Sequence, residues 1–230
     1  MPRAKQRTPE LRDRVLQVAL ATLAAEGTEG FTTRRVAAQA STSTPAVYEL
    51  FGDKAGLVRE MFFEGFRLLR QRFDELTESG DSRRDLIEAA RAFRGFVRDY
   101  PVLGQLMFAR PFADFDPGPA EREAGRSTRE FIVTRVRRCI DADVIGGVDD
   151  AGVIGGVAGS VVGGVAGSVV GRDETDVAHV LLALCQGLST QEAAGWLGTS
   201  PASMDRRWDL AIQALLAGLA PRPAACTEYS

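Results

Sequence analysis

Residues 31–58 read Phe31-Thr32-Thr33-Arg34-Arg35-Val36-Ala37-Ala38-Gln39-Ala40-Ser41-Thr42-Ser43-Thr44-Pro45-Ala46-Val47-Tyr48-Glu49-Leu50-Phe51-Gly52-Asp53-Lys54-Ala55-Gly56-Leu57-Val58. Two short helices fit this stretch, with a polar turn between them. Thr33 can cap the first, which runs through Ala40 with Val36 and Ala37 facing inward. Ser41-Thr42-Ser43 is too polar to continue it and reads as a turn. Ser43 can cap the second helix, Thr44 to Phe51, with Pro45 in its first turn and Val47 and Leu50 as inward candidates. Gly52-Asp53 breaks and re-caps the chain. A long helix follows, from Lys54 to about Ser79, with Leu57, Met61, Phe62, Phe66, Leu69 and Phe73 on its apolar side.

Upstream, Thr8 can cap a helix, Pro9 suits its first position and Glu10 complements its dipole. Val15, Leu16, Ala19, Leu20 and Leu23 recur at helical spacing, and Gly27 is a plausible stop. Three helices in the first fifty residues, the last two joined by a tight turn, make a helix-turn-helix. Its last helix must offer small and polar residues at its start to enter a major groove. Ser43, Thr44, Pro45 and Ala46 meet that need: Thr44 can bond a base or phosphate, while Pro45 and Ala46 allow close approach and contact with a thymine methyl. Tyr48 and Lys54 can clamp phosphates on either side, and Arg34 and Arg35 another. The amides at the start of the long helix add an anion site. Arg3, Lys5 and Arg7 form a basic arm, read either as a frayed terminus or as a groove contact. Singly, each of these residues suits a solvated surface equally well; their placement around one turn is what points to DNA.

These residues resemble the DNA-binding segment of the TetR family of repressors over about residues 9–65. Thr33 matches the threonine that starts the family's second helix, Val36 and Ala37 its small-residue face, Tyr48 and Phe51 its Tyr-x-x-Phe pair, and Lys54 and Leu57 the lysine and leucine that follow. Two positions depart from the pattern. Ser41 stands where the family often has glycine in the turn, at some strain if φ is positive there. Leu50 stands in place of a histidine, which removes one phosphate contact. The resemblance implies a dimeric regulator, most simply a repressor, that leaves a palindromic operator when a small molecule binds its C-terminal part. An activator with the same DNA contacts remains open. The candidate DNA-binding residues are Thr33, Arg34, Ser43, Thr44, Pro45, Ala46, Tyr48 and Lys54.

The expected fold is all-α with about nine helices, because no convincing alternating strand appears outside a glycine-rich insert. Residues 1–53 form the expected DNA-binding domain, 54–219 a helical ligand-binding and dimerisation domain, and 220–230 a loose tail. Further helices are expected from Asp81 to Asp99, Val102 to Arg110, Ala120 to Asp143, Glu174 to Leu197 and Pro201 to Leu219. Pro111 to Pro119 reads as a loop. Phe93, Phe96, Tyr100, Met107, Phe108 and Phe112 crowd one segment and serve either as core or as the lining for an apolar or aromatic effector. Ala178, Leu181, Leu182, Cys185, Leu188, Trp196, Trp208, Leu215 and Leu216 give the last two helices broad apolar faces, which in two copies can form a four-helix bundle. Residues 187–201 also resemble a second helix-turn-helix, though a helical hairpin, which the same residues suit, is the preferred reading.

The insert, residues 144–172, holds GGVAGSVV twice in tandem over residues 155–170. Glycine at every fourth position from Gly155 to Gly171 matches close-packed membrane helices. Against that, eight glycines in residues 151–171 each cost a helix roughly 1 kcal/mol, so a low-complexity connection is the preferred reading over a membrane-associated assembly. Charge supports a protein that meets DNA at one end. The chain carries a net −3, yet residues 1–54 hold eight Lys/Arg against six Asp/Glu. Cys139, Cys185 and Cys226 are scattered, which gives neither a disulfide framework nor a metal site. No nucleophile motif, phosphate loop or metal spacing marks an enzyme, and no cofactor is expected. His179, the single histidine, sits on an apolar helix. No apolar run follows the basic start, so a cytoplasmic protein without a leader is expected.

Overall fold

The computed structural model describes residues 8–109, 112, 118–146 and 173–221. Among these there are nine α-helices and no strand: α1 (Pro9–Gly30), α2 (Thr33–Gln39), α3 (Thr44–Phe51), α4 (Lys54–Asp74), α5 (Ser82–Asp99), α6 (Pro101–Phe108), α7 (Pro119–Asp141), α8 (Glu174–Ala193) and α9 (Pro201–Leu219). The all-α expectation holds. Two compact units divide the chain, Met1–Glu75 with Phe93–Thr128, and Leu76–Ala92 with Arg129–Ser230.

In the first unit, α1 packs on α2, α4 and α6, α2 on α3, α3 on α4, and α4 on α6. The helix starts follow capping chemistry. The Thr8, Thr32, Ser43 and Asp53 side chains each accept a backbone N–H from the first turn of α1 to α4 in order. Thr32, not Thr33, therefore caps α2, and Thr33 is its first residue. Gly27, at φ +66°, kinks α1 where the sequence suggested a stop, and helical pairing resumes to Gly30. Val15, Ala19, Phe31, Val36, Val47, Leu57, Met61, Leu69, Phe73, Phe93, Phe96 and Leu106 form the buried core. Burying each large side chain contributes about 1.5–3 kcal/mol.

Polar ties hold this unit in register. The Thr22 hydroxyl, on α1, donates to Gln39 Oε1 of α2 at 2.6 Å. Arg12 donates to the Leu50 carbonyl near the end of α3 at 2.9 Å and pairs with Glu60 of α4 at 2.6 Å. Its guanidinium also lies 4.9 Å from the centre of the Phe51 ring. One arginine thus satisfies an orphan carbonyl of α3 and fixes α1 against α4. Farther along α4, Arg59 pairs with the buried Glu121 in the first turn of α7.

In the second unit, α8 and α9 form a hairpin around Val177, Leu181, Cys185, Trp208, Ile212 and Leu216. The Trp208 indole N–H donates to Glu192 at 2.7 Å. Residues 187–201 form the end of α8, the connection and the start of α9. The first half of α5 meets α9 through Arg91 and Asp209 at 3.2 Å and through Arg83 and Gln213 at 2.5 Å. Buried Asp85 accepts from the Ser79 amide at 2.9 Å and its hydroxyl at 2.6 Å. That hydroxyl holds the carboxyl below the usual aspartate range, against the effect of burial.

Helix α6 runs over Pro101–Phe108 and α7 over Pro119–Asp141, each within two residues of expectation, and three boundaries differ by more or for a stated reason. Helix α4 ends at Asp74 rather than Ser79, where the Ser79 amide and hydroxyl are engaged by Asp85 of α5 instead of continuing the helix. Helix α8 ends at Ala193 rather than Leu197. Gly195 takes φ +76° and donates to the Glu192 carbonyl while Trp196 donates to that of Gln191, which closes a Schellman motif. The insert was expected from residue 144, yet Ile145 is fully buried and the Gly146 amide donates to the Leu219 carbonyl at 2.8 Å. The tandem repeat at 155–170, Cys226 and most of the tail lie outside the described residues. No helix among the described residues is long and apolar enough to cross a membrane.

Gly56 sets the closest approach in the first unit. A Cβ there would sit 1.8 Å from the Phe51 carbonyl oxygen, a backbone atom. Gly56→Ala must push α3 and α4 apart and should destabilise the chain by about 3 kcal/mol. Urea unfolding measures this, and a loss under about 1 kcal/mol would show that the junction yields.

Candidate nucleic-acid interface

The turn between α2 and α3 is built from backbone hydrogen bonds. The Ser41 amide donates to the Ala38 carbonyl at 3.1 Å, and the Thr42 amide to that of Ala37 at 2.9 Å. This is a Schellman closure of α2, and it places Ser41 in the left-handed region at φ +53°. The positive φ considered from the sequence is therefore present, on a residue with a Cβ. The Ser43 side chain then accepts the Ala46 amide at 3.3 Å and starts α3.

Helix α3 has two faces. Ala46, Val47 and Phe51 are buried, whereas Pro45, Tyr48 and Glu49 are exposed. The exposed set falls at i, i+3 and i+4, one strip of the helix. Thr44 and Ser43 are half-buried at its start, and Tyr48 is 46% exposed. Arg34 is exposed and makes no ion pair with a described residue, while Arg35 pairs with Glu26 at 2.7 Å. Lys54, the first residue of α4, is exposed, with its ammonium 5.6 Å from the Phe31 ring centre and 5.5 Å from that of Phe112.

Thr33 and Ala46 differ from the other candidates. They are only 6% and 5% exposed. Thr33 turns inward from the first position of α2, and Ala46 lies on the packed side of α3, so their side chains offer little to a ligand. The candidates that are exposed or half-buried are Arg34, Ser43, Thr44, Pro45, Tyr48 and Lys54. Arg12 was missed in reading the sequence, because its partners lie 38 and 48 positions away. Gly56 was missed too; its glycine beside the Asp53 cap was the available signal.

The six expected effector residues are not brought together. Phe93, Phe96 and Met107 are buried. Phe93 and Phe108 stack with centroids 5.4 Å apart, and Phe108 meets Phe66 of α4 at 6.3 Å. Phe96 contacts Tyr100, which is 39% exposed. Phe112 packs on Phe31 at 5.6 Å. An open groove of about 590 Å³ lies between α4 and the first part of α7, lined by Phe63, Phe66, Arg67, Arg70, Gln71, Asp74, Glu75, Ala124 and Ser127. None of the six lines it. Phe66 joins it to the aromatic cluster, and the Phe62-Phe63 doublet, one aromatic more than a single inward face needs, was its trace in the sequence. His179 is exposed with Nδ1 2.7 Å from the Thr175 carbonyl, and burial pushes the Cys185 thiol up to about 12.

Fold and exposed strip define a helix-turn-helix DNA-binding protein. The profile of the tetR family of bacterial regulatory proteins matches residues 15–61, and that of the tetracyclin repressor-like C-terminal domain matches residues 86–215. The chain belongs to the TetR family and is a DNA-binding transcriptional regulator. Members of the family bind DNA and small-molecule effectors and act as dimers. A protein of unknown function from Rhodococcus sp. RHA1 is similar at 25% identity, with 95% of this chain and 100% of that one covered and a TM-score of 0.70. A regulatory protein of the tetR family from Rhodococcus RHA1 aligns at 15% identity over 94% and 100%, with a TM-score of 0.65. A TetR variant from Acinetobacter baumannii AYE in complex with minocycline aligns at 18% identity over 89% and 93%, with a TM-score of 0.56. No curated protein matches this chain.

Ser41 offers a direct test of the turn. Ser41→Gly removes the cost of a Cβ at positive φ, about 1–2 kcal/mol, and adds the backbone entropy of glycine. The net expectation is about 0.5–1 kcal/mol of added stability, seen as a higher urea midpoint at unchanged slope. A lower midpoint would show that the serine relieves its own strain.

Proposed function

We propose that this chain is a dimeric repressor that holds a palindromic operator until a small apolar or aromatic effector releases it. The observation that carries the reading is the exposed strip of α3, Pro45 and Tyr48, started by Ser43 and Thr44 and flanked by Arg34 and Lys54. Small residues at its start permit entry to a major groove, and flanking hydroxyl and cationic groups suit phosphates. Residues 1–53 act as the reader, and 54–219 sense the effector and dimerise. Two copies place two α3 helices on adjacent half-sites. A protein reading chromosomal DNA in this way works in the cytoplasm.

The effector binds at the cluster of Phe66, Phe93 and Phe108, entering by the α4–α7 groove, in this reading. The groove volume falls within the range of small-molecule sites, and its aromatic floor beside arginine and carboxylate groups suits an apolar body with a polar end. Phe93, Phe96, Met107 and Phe108 then act from within the core around it, with Tyr100 and Phe112 outside. Phe66 belongs to α4, whose first residue is Lys54, so an effector that repacks Phe66 acts on the helix that carries a DNA contact. Only an effector that favours one arrangement over the other can shift DNA binding.

Enrichment of duplexes from a random-sequence pool by the full chain tests the DNA reading. A palindromic consensus bound with salt-sensitive affinity is expected. Tyr48→Phe and Lys54→Ala should each weaken binding about fivefold, and the lysine variant should lower the salt slope by about one. Wild-type affinity in both variants would remove this face from consideration. Transcription from a promoter carrying the consensus should fall when the chain is added; a rise would make it an activator. In a release assay with aromatic compounds, with each protein at the same fraction of duplex bound, Phe66→Ala should raise the concentration needed by about tenfold. Equal release by wild type and variant would place the effector elsewhere.

A further inference from the structure

Phe112 lies four residues beyond the end of α6, in the segment expected to line an effector site, yet its ring faces Lys54. The Lys54 ammonium sits over two adjoining aromatic rings, 5.6 Å from the centre of Phe31 and 5.5 Å from that of Phe112. The two rings contact each other at 5.6 Å, tilted by 58°. Phe31 is fully buried, so one wall of this seat is fixed by the core. All three residues belong to one compact unit.

The chemistry of such a seat differs from that of an ion pair. Arg35, nearby in sequence, is held by the carboxylate of Glu26, which neutralises its charge. A ring face attracts a cation through its quadrupole and leaves the charge and the outward N–H donors available. A lysine side chain is otherwise long and mobile, and ordering it on a phosphate costs entropy at the moment of binding. Two rings that order it beforehand move that cost into folding.

We propose that Phe112, together with Phe31, is a positioning residue for DNA binding: the two rings hold the Lys54 ammonium, which makes no ion pair with a described residue, where it meets a DNA phosphate. The inference rests on the reading of Lys54 as a phosphate ligand. It assigns Phe112 to the DNA-binding side of the protein, outside the effector lining where the sequence placed it. Phe112 acts through Lys54 and touches no base.

The test uses the full chain and a labelled duplex enriched by the wild-type chain from a random-sequence pool, titrated by anisotropy at several salt concentrations. Phe112→Leu should weaken binding about threefold, and Phe112→Tyr, which keeps the ring face, should bind as wild type does. In a Lys54→Ala background, Phe112→Leu should cost nothing further, since the group it positions is gone. Should Phe112→Leu melt below the assay temperature, Phe112→Met, which fills the space without a ring, takes its place. Unchanged affinity for Phe112→Leu, or the same threefold loss with Lys54→Ala already present, would overturn the proposal while leaving Lys54 as a phosphate ligand. Wild-type affinity and salt slope for Lys54→Ala alone would overturn the underlying reading of Lys54, and the positioning role with it.

Discussion

The junction of α3 and α4 is the constraint on which the helix-turn-helix depends. Helix α3 ends against the first turn of α4 so closely that Gly56 leaves no room for a Cβ beside the Phe51 carbonyl. Gly52, at φ +80°, turns the chain, and Asp53 at once caps the next helix through the Gly56 amide at 2.7 Å. Arg12 closes the junction from the far side by taking the Leu50 carbonyl and Glu60 together. Tyr48 and Lys54, on either side of this corner, are thereby held in fixed relation. A short helix of eight residues has little stability of its own, and tertiary packing supplies it.

In the proposed reading, the same corner links the helix-turn-helix to the effector site. Helix α4 begins at Lys54 and carries Phe66 three turns later, where the aromatic cluster with Phe108 and Phe93 begins. A helix transmits displacement along its axis because its backbone hydrogen bonds are contiguous. Phe66 and Phe108 are half-buried beside the groove, whereas Phe93 belongs to the fully buried layer with Leu57, Met61 and Leu69. The Arg59–Glu121 pair ties the middle of this helix to the start of α7. The buried carboxylate makes that tie costly to break without a replacement partner.

Boundaries that rest on local chemistry were legible. Thr8-Pro9, Ser43-Thr44-Pro45, Asp53-Lys54, Asp173-Glu174 and Ser200-Pro201 each start a helix where the cap and first-turn residues indicate. Helix α9 runs over Pro201–Leu219, as its apolar spacing requires. Ends were harder to read than starts. Helix α8 stops early because Gly195, two residues on, takes positive φ, and α4 because the Ser79 amide is taken by Asp85 of the next helix, and apolar spacing alone continues past both points. Thr32 and Thr33 are adjacent threonines, and only the backbone decides which of them caps.

The sequence by itself determined the helical class, the helix-turn-helix and the polar strip at the start of α3, because capping, turn chemistry and helical periodicity act over a few residues. It also carried the family. Tertiary structure alone decided what depends on residues distant in the chain. Thr33 and Ala46 turn inward, the clustered aromatics after residue 93 divide between core, cluster and the Lys54 seat, and a groove opens on Phe63 and Phe66. Those outcomes follow from which helix faces which, and no local pattern encodes the partner across the interface.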